Sequence, residues 1–131
     1  FHAHELQRLT GLVALEGQAR LLLNDLHEYR AWMEAQDSAR LTDRQAAERW
    51  LHDVLEPSLA DLVPAIGLGR DALQAYCDVL EEKWILSEVR GSDVGLERAI
   101  EEYLGLGAPA PEDDLEEREG STALDIDPPR G

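Results

Sequence analysis

From Leu12 onward the sequence sets apolar residues three and four positions apart, and nowhere alternates them with polar residues over a useful stretch. That repeat matches the turn of a helix and not the two-residue period of a half-buried strand, so the chain is restricted to helices packed on one another. The strongest example is Leu12, Leu15, Ala19, Leu22, Leu26, Tyr29 and Met33, which line one face of a helix expected over about 14–36. Leu21 and Leu23 widen this face beyond a two-stranded seam, which favours a bundle over a free coiled coil. Gly17 sits inside the same helix at a cost of about 1 kcal/mol relative to Ala, so the first turn is expected to be frayed or packed tightly against a neighbour.

Other helices are bounded by capping chemistry. His2 to Leu9 reads as a short first helix, with Gly11 as the left-handed residue that ends it. Thr42 and Gln45 have the spacing of a capping box and open a third helix, whose buried stripe is Ala47, Trp50, Leu51, Val54 and Leu55. Leu59, Leu62 and Val63 carry the period past Pro57, where a kink or a new helix is expected, and the pattern stops near Pro64. After Gly67-Leu68-Gly69, Asp71 and Gln74 repeat the capping-box spacing. The fourth helix then presents Leu73, Tyr76, Cys77, Leu80 and Trp84, continues toward Val89 and stops at Gly91. Ser92 or Asp93 caps a last helix over about 94–104 that buries Leu96, Ile100 and Tyr103 and ends at Gly105. The fold class expected is all-α, a small bundle of five or six helices joined by short turns.

Past Gly105 the composition changes: residues 106–131 hold four of the six prolines and eight acidic residues against Arg118 and Arg130. So little apolar surface cannot offset the ~1–2 kcal/mol per residue that ordering a backbone costs, so the expected organisation is a helical domain over 1–105 and a disordered acidic tail over 106–131. At 131 residues the chain has room for one domain with a real core. Its formal charge of −16, about −10 of it on the first 105 residues, repels phosphate backbones and anionic lipid, which excludes nucleic acid as an expected partner. Apolar runs of about four residues, such as Leu12 to Leu15, fall far short of the ~20 that cross a bilayer, so no membrane span is expected. The start at Phe1 without a signal-peptide pattern suggests a piece of a longer protein, and one cysteine, which forms no internal disulfide, fits a cytoplasmic location.

Four stretches together resemble a known family: Arg8-Leu9-Thr10-Gly11-Leu12; Gln18-Ala19-Arg20 leading to Leu22-Leu23-Asn24-Asp25; Tyr29-Arg30-Ala31; and Trp84-Ile85-Leu86-Ser87-Glu88 leading to Asp93-Val94-Gly95-Leu96-Glu97. The family is an uncharacterised actinobacterial one in which such a segment follows a lipopolysaccharide-kinase-like (protein-kinase-like) module, and the resemblance spans nearly all of residues 2–104. It implies a kinase-like module upstream. The chain departs from the family pattern at Gly17, Leu21 and Glu82, which makes its surface more acidic and weakens any anion-binding role at those positions.

No residue pattern here is that of a catalyst, and none of the loop, lysine or paired acidic signatures of phosphoryl transfer is present. His2, His4 and Glu5 crowd one end, but a two-residue spacing splits the two imidazoles onto different helix faces, so no metal site is expected and a frayed terminus is the plainer reading. Cys77 falls on an apolar face and reads as an inert small hydrophobe. Gly67-Leu68-Gly69-Arg70 could hold an anion, but Asp71 opposes it and a plain loop is the better reading. No cofactor is expected. Trp50 and Trp84 read as core, and Trp32, off the main stripe, as lying under the 37–41 loop or at an interface. The acidic stretch 112–119 reads as solubilising, or as a segment that folds on a basic partner with 123–127 as its anchor.

The candidate site follows from the resemblance, in which Arg20, Asn24, Asp25 and Arg30 of the long second helix recur with Trp84, Ser87, Glu88 and Asp93. These residues form either a polar network between helices or a site for a ligand or partner. Two functions follow. The first is a non-catalytic accessory module that docks on the kinase-like domain or on another protein. The alternative is a substrate- or phosphate-recognition part completed by the upstream domain. A monomer or weak homodimer is expected.

Overall fold

The computed structural model describes residues 1–67 and 69–109. These residues form α1 (His2–Thr10), α2 (Glu16–Asp37), α3 (Asp43–Trp50), a π-helical segment (Leu51–Leu55), α4 (Glu56–Ile66), α5 (Ala72–Arg90) and α6 (Leu96–Gly105), with no strand among them. Because α3, the π segment and α4 follow one another without a break, the bundle consists of five rods. The expected acidic tail lies, from residue 110 onward, outside the described residues.

Capping accounts for most of the boundaries. Gly11 ends α1 in the left-handed region at φ 81° and donates its N–H to the Gln7 carbonyl at 2.8 Å. Thr42 and Gln45 close both halves of their box: Gln45 N–H donates to Thr42 Oγ1 at 3.1 Å and Thr42 N–H to Gln45 Oε1 at 3.0 Å. Asp71 caps α5 by accepting the Leu73 N–H at 2.9 Å, but Gln74 does not complete a box, because its side chain is turned toward Gln18 on α2. α2 begins later than the apolar stripe suggests. Gln18 Oε1 accepts the Leu15 N–H at 3.0 Å and fixes the start at Glu16, which leaves Leu12 and Leu15 in the preceding connection and Leu15 exposed. Gly17 is helical with open space around it, so it is not a close-packing glycine.

Pro57 lies in the first turn of α4, as expected of a new helix starting there, although the backbone runs into it from the π segment without a break. Its missing N–H and its ring would break an ordinary α-helical turn, and the backbone widens into the π segment just ahead of it, where Glu56 N–H reaches the Leu51 carbonyl five residues back. The helix also continues through Pro64 to Ile66. Ala60 and Pro64 are both exposed, so the carbonyl that Pro64 leaves without a donor faces water. α6 starts at Leu96, two residues later than expected. Gly95 at φ 86° is incompatible with a helical turn, and Asp93 Oδ1 accepts the Gly95 N–H at 2.9 Å while Ser87 Oγ accepts that of Val94 at 3.1 Å, holding the turn instead of capping a helix.

The core is built where the rods cross. Leu6 of α1, Leu22 and Leu26 of α2, Trp50 of α3, Leu55, Leu62 of α4, and Tyr76 and Val79 of α5 are all buried. Burying each such side chain stabilises the fold by roughly 1.5–3 kcal/mol, which is why the stripe and not helix propensity decides the packing. α1 is anchored by more than Leu6: Glu16, the first residue of α2, accepts the backbone N–H groups of His2 and Ala3 at 2.9 Å each and caps α1 from outside. The chain just past Gly105, assigned to the tail by composition, also belongs to the packed structure. Ala108 is buried, and Arg70 donates to the carbonyls of Ala108 at 2.7 Å and Pro109 at 3.4 Å and to the Tyr103 hydroxyl at 3.2 Å.

Candidate functional site

The apolar stripe of α5 is continuous in sequence but is covered only along its first half. Ala75, Tyr76, Cys77 and Val79 are buried, whereas no residue from Leu80 to Arg90 is. Trp84, expected in the core, is 64% exposed, and Val89 is exposed as well. The physical reason lies in the crossing of α2 and α5, where the polar contacts among the described residues fall early on α5. Gln18 Nε2 donates to Asp71 Oδ2 at 3.1 Å and to Gln74 Oε1 at 2.7 Å, and Tyr76 bonds Asp25. Beyond the crossing, α6 packs against α5 but α2 leaves it uncovered, and a groove of about 990 Å³ opens between them.

Asp25 stands at the inner edge of this groove. Its Oδ2 accepts both the Trp50 indole N–H at 2.9 Å and the Tyr76 hydroxyl at 2.5 Å, so one carboxylate joins α2, α3 and α5. Burial, followed by the charge of Asp25, pushes the Tyr76 phenol far above its ordinary pKa, so it remains a donor throughout the accessible pH range. The other oxygen of Asp25 takes no hydrogen bond among the described residues, and Asp25 lines the groove. The carboxylate is thus oriented by two donors from the core at the lining of the groove.

Of the eight residues proposed from sequence, the structure gathers seven around this groove. Arg20, Asn24 and Asp25 come from α2; Trp84, Ser87 and Glu88 come from α5; and Asp93 comes from the turn that follows. Arg30 is not among them. Its guanidinium binds Asp43 at 2.8 Å, Glu34 at 3.4 Å and the Leu41 carbonyl, fastening the connection between α2 and α3. That cluster holds the Asp43 carboxyl below its usual range through the Arg30 hydrogen bond, and the Glu34 carboxyl below its range through the Leu41 N–H, which it accepts at 2.8 Å. The gathered residues share a space more than they bond to one another. Among the described residues, Arg20, Asn24 and Glu88 make no hydrogen bond or ion pair with the other six.

Sequence reasoning missed Glu28, Leu80, Glu81 and Lys83, which also line the groove. Helical spacing could have found them, since Glu28 lies one turn beyond Asn24, Leu80 and Glu81 one turn before Trp84, and Lys83 one turn before Ser87. Lys83 reaches Asp93 at 3.9 Å. With Arg20 and Lys83 as the cations and Asp25, Glu28, Glu81, Glu88 and Asp93 as the acids, the groove has a formal excess of three negative charges.

The other candidates resolve differently. Cys77 is buried, and burial pushes its thiol up to about 12, which removes the thiolate that nucleophilic or metal chemistry would need. His2 bonds Glu16 at 2.5 Å instead of pairing with His4, the terminus is docked and not frayed, and no group of three or more metal-ligating side chains occurs among the described residues. Arg70 is committed to Tyr103 and the 108–109 backbone, so the glycine turn before α5 has no free guanidinium for an anion. Trp32 is 56% exposed and stacks on Tyr29 with ring centroids 6.1 Å apart, at the surface and not under the 37–41 loop. No helix among the described residues is long and apolar enough to cross a membrane.

Comparison with known proteins gives one match. The model of the family described as "Domain of unknown function (DUF4032)" matches residues 1–106, which includes α1 to α6 and the whole groove. No curated protein and no solved structure matches the chain. The match covers well over half of the 131 residues. The chain belongs to the DUF4032 family, an uncharacterised family.

Proposed function

We propose that this domain is a non-catalytic accessory module that works by docking, and that it engages a partner protein through the groove between α2 and α5. The observation that carries this reading is the half-covered α5: a helix whose apolar stripe runs on past its packing partner and ends in an exposed tryptophan. Exposed aromatic side chains beside partly buried apolar ones are characteristic of interface anchors, whereas the polar groups around them here are too dispersed to form a catalytic constellation. The family resemblance supplies the partner of first choice, a kinase-like module upstream in the same protein of unknown function, with the domain acting as its C-terminal accessory part in the cytoplasm as a monomer or weak homodimer.

Recognition of a phosphate or small-molecule substrate is the weaker reading. Arg30, one of the two arginines it would use, is engaged with Asp43, Glu34 and the Leu41 carbonyl, and the remaining one, Arg20, sits among five carboxylates. The test is hydrogen exchange on the chain, free and mixed with its kinase-like neighbour or with the parent protein. Slowed exchange across 80–91 and 20–28 on mixing is expected. An exchange map that changes elsewhere and leaves both stretches untouched would overturn the docking reading.

A further inference from the structure

The charge and shape of the groove specify the chemistry of what fills it. Its floor is a carboxylate, Asp25, held by two core donors; its wall carries the exposed Trp84 indole; and Glu28, Glu81 and Glu88 stand around them. Both local cations are weak competitors for this site. Arg20 is exposed and makes no ion pair among the described residues, and Lys83 is turned toward Asp93.

Resting on the docking reading above, we propose that the occupant is a basic protein segment that places an arginine side chain in this groove. Arginine fits better than lysine, because its planar guanidinium can lie flat on an indole and also give paired hydrogen bonds to a carboxylate. The excess negative charge steers such a segment toward the groove and repels the alternatives. A nucleic acid, an anionic lipid headgroup and the chain's own acidic stretch at 112–119 all carry the sign that the groove disfavours. Asp25 makes the groove selective, since a carboxylate already oriented by Trp50 and Tyr76 loses little freedom on receiving a cation.

The probe is hexa-arginine amide, titrated into the full 131-residue chain and followed by NMR amide and indole shifts, with hexalysine and a neutral leucine-alanine peptide of equal length alongside. Hexa-arginine should bind more tightly than hexalysine and shift the Trp84 indole together with amides in 20–28 and 80–91. Trp84→Ala and Glu88→Gln should each weaken it, the former about tenfold. Asp25→Asn, which keeps an acceptor for both core donors, should weaken it by a similar factor. Glu101→Gln on α6 removes the same charge away from the groove and should leave binding within about twofold. Equal losses from Glu88→Gln and Glu101→Gln would show that only net charge is sensed, and would overturn the proposal. If the neutral peptide shifts the groove signals and hexa-arginine does not, the arginine assignment fails while docking stands; if neither peptide does, both fail.

Discussion

The two halves of α5 have much the same apolar repeat and opposite fates. From Ala72 to Val79 the helix is pressed against α2, and Tyr76 is buried with its hydroxyl on Asp25; from Leu80 to Arg90 the repeat continues through Trp84 but α2 leaves it uncovered. Both halves carry apolar residues, and the polar contacts between the two helices lie only along the first. Gln18, Asp71, Gln74 and Asp25 fix where the two helices touch, and past those contacts nothing among the described residues from α2 is fastened to α5. A periodic stripe therefore shows that a face is made to be covered without showing that its own domain covers it.

The largest expected effect separates the two tryptophans. Trp50→Ala opens a cavity in the core and should cost about 3–5 kcal/mol in urea unfolding, whereas Trp84→Ala should change stability by no more than about 0.5 kcal/mol. Comparable losses would mean that the second half of α5 is packed after all. Next comes the carboxylate between the halves. Asp25→Ala strands the Trp50 N–H and the Tyr76 hydroxyl and should cost about 2–4 kcal/mol, and Asp25→Asn should recover most of it, because an amide oxygen still accepts. Recovery no better than with Ala would show that the charge and not the hydrogen bonds holds the crossing together.

Just outside the crossing, the start of α2 gives two smaller tests. The Glu16 carboxyl, held down to about 2 from 4.5 by the N–H groups of Ala3 and His2, is more acidic folded than unfolded. Its contribution is therefore complete above about 4.5 and disappears as the pH falls toward 2. The stability difference between the wild type and Glu16→Gln should be present at neutral pH and vanish in that window; a constant difference would mean that Glu16 does not cap α1. Gly17→Ala, in a helical position with open space, should raise stability by about 0.5 kcal/mol, and a loss would reveal a contact that the open space does not suggest.

Much of this fold was legible in the residues, and what was not has identifiable causes. The helical class, the Gly11 stop and the Thr42–Gln45 box are local chemistry, written within a few positions. The helix start at Pro57 was legible too, but the π segment that leads into it without a break was not, because only the backbone geometry shows it. The exposure of Trp84 was not, because the repeat places it on the same face as Tyr76 and the sequence does not say where α2 ends its contact. The Arg70 clamp on residues 108–109 was hidden by composition, since the proline and acidic content of the segment dominates the few residues that pack. Arg30, which the resemblance grouped with the groove residues, lies apart from them and fastens the connection between α2 and α3, because a resemblance along one helix does not say which neighbour each side chain meets.

Oxidative footprinting of the three tryptophans, on the chain alone and mixed with the kinase-like module proposed above as its partner, bears most directly on whether the second half of α5 is a docking face. Trp50 should be inert in both samples, and Trp84 should react readily in the chain alone and be shielded in the mixture. A Trp84 that is shielded when alone, or that reacts equally in both, would contradict a groove left open for a partner.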